Sequence, residues 1–70
     1  MDKSRIGRRV KAFRKLKGFT QVGFARELNI SINSLGALER GTREVSDELI
    51  ELIAETLGIN KAELVGMEEE

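Results

Sequence analysis

Between Thr20 and Gly41 the chain reads TQVGFARELNISINSLGALERG. Its polar side chains include the carboxamides of Gln21 and Asn33 and the hydroxyls of Ser31 and Ser34. Arg40 closes the stretch, and Thr42 and Arg43 follow at once. Such groups form directed hydrogen bonds and neutralise anions; they are not nucleophiles paired with a base. The chain has no His and no Cys. The commonest general base, the commonest metal ligand and the thiolate are therefore missing. Catalysis would fall to paired carboxylates in a pocket, and 70 residues leave little room for one. No enzymatic activity, metal or cofactor is expected. The chemistry on offer is recognition.

The charge distribution gives the sign of what would be recognised. Net charge is zero, with 12 Lys/Arg against 12 Asp/Glu. Residues 1–43 carry 11 Lys/Arg and 3 Asp/Glu, a balance of +8; residues 44–70 carry 1 and 9, a balance of −8. Segregation of this kind points to a polyanion partner for the first part, although both runs could also be solvated faces. No apolar run approaches the ~18 residues of a membrane span. The opening MDKSRIGRRV is too charged for a signal peptide. A soluble, cytosolic protein of a reducing compartment is expected.

Apolar residues recur at helical spacing throughout, and Pro is absent, so the elements that position these side chains read as helices. The first is expected over Ser4–Lys17, with Ile6, Val10 and Phe13 as its buried stripe and Leu16 extending it. Gly18 falls where a left-handed terminator belongs. The second spans Gln21–Leu28, capped by Thr20 and ended by Asn29, with Phe24, Ala25 and Leu28 inward. Gly23 within it costs about 1 kcal/mol against Ala. The third spans Ile32–Arg40 behind Ser31, with Leu35 and Leu38 inward and Gly41 as its stop. The fourth spans Asp47–Leu57 behind Ser46, with Leu49, Ile50, Ile53, Ala54 and Leu57 inward. Asp47 and Glu48 suit the positive end of its dipole. The fifth spans Lys61–Val65, with Asn60 and Glu63 at capping-box spacing. Residues 1–66 read as one all-α domain and residues 67–70 as an acidic, frayed tail.

The order of these parts resembles the phage repressor and Cro-like (XRE-type) helix-turn-helix family. The resemblance rests on IGRRVKAFRKLKG, FTQVGFARELNI, ISINSLGALERG and VSDELIELIAETLGINKAEL, covering residues 5–65. The combination of T-Q, F-A-x-x-L and L-x-x-L-E-R-G at these spacings is specific. It implies a compact five-helix bundle whose second and third helices form the helix-turn-helix, in a prokaryotic or phage-encoded, nucleoid-associated protein.

The resemblance also implies roles. Gln21 matches a phosphate-binding Gln at the start of the second helix. Base contacts fall at Ile32, Asn33 and Ala37. Asn33 can pair bidentately with adenine, worth about 1–3 kcal/mol of discrimination. Ile32 replaces the long polar residue common there, and either packs on a thymine methyl or belongs to a protein interface. Ser31 is a cap near a phosphate, and Ser34 shares the opening turn. Gly36 allows close approach. Arg40, Thr42 and Arg43 suit phosphates on the far side of the groove. Arg14 and Glu39 match a structural salt bridge. Leu64, Val65 and Met67 mark a possible dimer interface; the alternative, favoured for Leu64, is ordinary core packing plus a frayed end.

Two functions follow as expectations. One is a sequence-specific regulator, a repressor in the main reading, that binds a two-fold operator on double-stranded DNA as a homodimer. The other is a protein-interaction module on the same fold, antitoxin-like or antirepressor. Its partner would be met through Val22, Ile32 and Leu52.

Overall fold

The computed structural model describes residues 2–66. Every described residue outside turns and connections is helical: α1 (Lys3–Leu16), α2 (Gln21–Leu28), α3 (Ile32–Arg40), α4 (Asp47–Leu57) and α5 (Lys61–Val65). The helices begin where a short polar side chain can satisfy the orphan amides of the first turn. Asp2 accepts from Ser4 N–H and Arg5 N–H, Thr20 from Gly23, Ser31 from Ser34 and Ser46 from Leu49. Asn60 and Glu63 form a capping box. Because Asp2 supplies the first cap, α1 starts one residue earlier than the sequence reading placed it; it also ends one residue earlier, because Lys17 is its C-cap ahead of the left-handed Gly18. The ends of α2 to α5 are left-handed residues: Asn29, Gly41, Gly58 and Gly66.

The core is drawn from all five helices. Val10, Phe24, Leu35, Leu38, Ile50, Ile53 and Leu64 are fully buried. Each such side chain stabilises the fold by about 1.5–3 kcal/mol before the entropy of ordering it is counted. Helix α1 packs on α3, α4 and α5, while α2 packs on α3 and α4. One expectation is corrected, and of the two readings of Leu64 the core packing is the one seen. Leu16 does not extend the buried stripe of α1 and is 75% exposed. The buried row runs Ile6, Val10, Arg14, with Gly7 beside it. Leu16 is two residues beyond Arg14, a rotation of about 200° about the helix axis. Leu64 is 0% exposed in the protomer's own core, so it has no surface to offer a second copy. Val65 is half-buried. Met67 and the acidic tail lie outside the described residues.

The backbones of α1 and α3 touch. A Cβ on Gly7 would stand 2.3 Å from the Leu38 carbonyl oxygen and 2.8 Å from that of Glu39. A second close approach sets Gly41, at φ +78°, against Ser4. From the same half of α1, Arg9 Nη1 donates to the Glu63 carbonyl at 2.8 Å, and the Arg5 guanidinium lies over Gly66. Helix α1 therefore fixes both α3 and α5.

Candidate nucleic-acid interface

Leu35 and Leu38 anchor α3 in the core, which determines what its opposite side presents. At 3.6 residues per turn, Ile32, Asn33, Gly36, Ala37 and Arg40 share the arc facing away from them. Ile32 is 43% exposed, Asn33 and Arg40 are exposed, and Ala37 is half-buried. Neither the Asn33 nor the Arg40 side chain has a hydrogen bond or ion pair to any described residue. Glu39, the only acid of α3, is turned inward and buried. The outward face thus carries an uncommitted amide, a cation and no carboxylate.

A buried network fixes this face. Arg14 Nε donates to Glu39 Oε2 at 2.6 Å, and Arg14 Nη2 to Glu39 Oε1 at 3.3 Å. Arg14 Nη1 donates to the Phe19 carbonyl at 2.9 Å. Gln21 Nε2 donates to Glu39 Oε1 at 3.2 Å. One carboxylate therefore ties together α1, the first residue of α2 and the last turn of α3. The fork geometry suits a guanidinium and would not suit a lysine. Sequence reasoning paired Arg14 with Glu39 but did not find the contact from Gln21. The two residues are 18 positions apart, and nothing in their spacing announces a meeting.

The remaining candidates divide. Ser31 Oγ accepts from Ser34 N–H at 3.0 Å and donates to Ser34 Oγ at 3.0 Å. Both hydroxyls are thereby engaged in opening the helix. Thr42 Oγ1 donates to the Ala37 carbonyl at 3.1 Å, and Thr42 N–H donates to the same oxygen at 3.0 Å. Thr42 thus finishes α3 by satisfying one of its last carbonyls. Arg43 is exposed and, like Arg40, has no ion-pair partner among the described residues. Val22 and Leu52, expected to meet a protein partner, are 52% and 38% exposed. An open groove of about 510 Å³ lies elsewhere, between α1 and α5, lined by Arg9, Ala12, Phe13, Asn60, Ala62 and Glu63. No group of acidic side chains capable of holding a metal occurs among the described residues. No described helix is long and apolar enough to cross a membrane.

Comparisons with known proteins agree with this architecture. The helix-turn-helix family HTH_3 matches residues 10–64. The uncharacterised HTH-type transcriptional regulator YazB of Bacillus subtilis is 53% identical over 58 residues, covering 83% of this chain and 84% of that protein. The antitoxin PezA of Streptococcus pneumoniae is 43% identical over 61 residues, covering 87% of this chain but only 39% of its own length. Among solved structures, the clp gene regulator ClgR of Corynebacterium glutamicum superposes with a TM-score of 0.88 at 32% identity, over 93% of this chain and 69% of that one. The five capped helices, the outward face of α3 and these matches lead to one assignment: the chain belongs to the helix-turn-helix family of transcriptional regulators.

Proposed function

We propose that this protein is a sequence-specific regulator that binds a two-fold operator as a homodimer, with α3 in the major groove of double-stranded DNA. One observation carries the reading beyond the family. The exposed arc of α3 presents Asn33 with no internal partner, bears no carboxylate, and lies beside Gln21 at the start of α2. Residues 1–66 act as the DNA-binding domain. Asn33 reads adenine by paired hydrogen bonds while Ile32 and Ala37 meet thymine methyls. Gln21, Arg40 and Arg43 hold backbone phosphates and set the register. Ser31, Ser34 and Thr42 shape the two ends of α3 and set those ends near the phosphates. With one Asn and mostly apolar neighbours, the base code is thin, so dimerisation and DNA deformability supply much of the specificity. Val65 is the remaining described candidate for the α5 contribution to a dimer. A bound dimer represses by occluding promoter DNA in the cytoplasm.

A second reading keeps the fold and replaces DNA with a protein partner. The exposed Val22, Ile32 and Leu52 favour it, and one relative is an antitoxin.

The test is selection of bound duplexes from a random pool at low salt, followed by sequencing. An enriched palindrome with half-site centres about 34–36 Å apart supports the dimeric regulator. Gln21→Ala and Asn33→Ala should each then weaken binding to the selected site. Retention without enrichment reduces the protein to a backbone binder. No retention overturns the proposal and favours the protein-partner reading.

A further inference from the structure

Gly36 stands on the outward arc of α3, yet it is buried. Its cover is the guanidinium of Arg40, one turn along the same helix, with the carboxamide of Gln21 close by. A Cβ built on Gly36 would lie 3.2 Å from Arg40 Nη1 and 4.0 Å from Gln21 Nε2. The two nitrogens therefore share one small neighbourhood above the missing side chain. No described residue holds Arg40 there through an ion pair or hydrogen bond. The space does so. Gly is a poor helix former in mid-helix, so its presence here is not explained by the stability of α3.

We propose that Gly36 is a positioning residue for DNA binding: its empty slot lets Arg40 lie back along α3 beside Gln21, and both side chains donate to the same backbone phosphate. The proposal rests on the reading of α3 as the groove helix. It also changes the expectation that Arg40 serves a phosphate on the far side of the groove. A guanidinium offers a planar fork of donors to phosphate oxygens, and its bonds to them are charge-assisted. Gln21 Nε2 has two hydrogens, one of which goes to Glu39 and leaves the other for the same anion. Seating Arg40 beforehand lowers the side-chain entropy lost on binding. A methyl at position 36 would press on the guanidinium, which must give by a few tenths of an ångström and lose its seat beside Gln21. Only the far end of a flexible chain has to move, so the fold would be spared.

The experiment is a double-mutant cycle of Gly36→Ala and Arg40→Ala on the duplex enriched in the selection, measured over a salt series, with thermal melts of each variant. Gly36→Ala should melt at or above the wild-type temperature and yet bind several-fold more weakly. Arg40→Ala should lower the salt slope of the logarithm of affinity by about one. Adding Gly36→Ala to Arg40→Ala should cost nothing further, because the slot then has no occupant to lose. If the methyl costs as much without Arg40 as with it, the methyl meets the DNA itself and the proposal fails. Unchanged binding in Gly36→Ala also overturns it. Either failure leaves the DNA-binding reading standing, since the wild type binds in both. A wild type that retains no duplex overturns both together.

Discussion

At the scale of single residues, the Arg14–Glu39 pair decides whether α3 is held in place. Both side chains are nearly excluded from water, at 8% and 3% exposure. Removing one partner strands a buried charge, which costs about 3–5 kcal/mol. Glu39→Ala should therefore lower the urea midpoint sharply and release the Gln21 amide as well. The joint variant Arg14→Met with Glu39→Leu leaves no charge buried, so it should recover most of that loss. Two losses that simply add would show that the pair is not their source. A second prediction concerns the base code. Asn33→Ala should cost about 1–3 kcal/mol of discrimination at a single base pair. Repeating the selection with the variant should relax one position of each half-site and leave the others as they were. The Arg14–Glu39 pair was legible through the family pattern that places both residues. The Gln21–Glu39 contact was not, because side-chain torsions and the crossing of α2 over α3 decide it. Leu16 misled for a related reason: its type suits a core, but its angular position on α1 belongs to Arg14's opposite flank.

At the scale of elements, the helix ends were the most legible part of the chain. Each start has a side chain that can accept from the first turn, and α2 to α5 each stop at a residue in the left-handed region. These are local interactions, so a local reading finds them. Ser46→Ala should cost about 1 kcal/mol by removing the acceptor for the Leu49 amide, measured by chemical denaturation. The packing of one helix on another was less legible. Nothing in KSRIGRRV distinguishes Gly7 from an ordinary weak helix former. In the structure it is where two backbones meet, and neither can retreat as a flexible side chain would. Gly7→Ala should therefore destabilise by more than the 1–3 kcal/mol typical of overpacking a core, even though Ala is the better helix former. Gly58→Ala meets nothing within 4 Å and is strained only by its φ of +71°. It should cost distinctly less, and equal losses at the two sites would refute the close-contact account of Gly7.

At the scale of the whole molecule, the segregated charge should make DNA binding and folding respond differently to salt. The surface ion pairs Lys3–Glu44 at 3.5 Å and Lys61–Glu51 at 3.7 Å are open to solvent. Such pairs contribute about 0–1 kcal/mol, so screening them should leave the melting temperature nearly unchanged. Affinity for DNA should fall steeply over the same range, because each neutralised phosphate releases counterions. A titration of binding beside a series of melts would show whether the two responses separate. The steric contact at Gly7 and the buried bridge at Arg14 have one further consequence. Together they leave α3 a single seat on the rest of the bundle. Its side chains at 32, 33, 37 and 40 point away from that seat and bear little of the core's weight. On the proposed reading of α3 as the groove helix, new target sequences can therefore arise in descendants of this protein by point changes along one arc, each tested by selection without first endangering the fold.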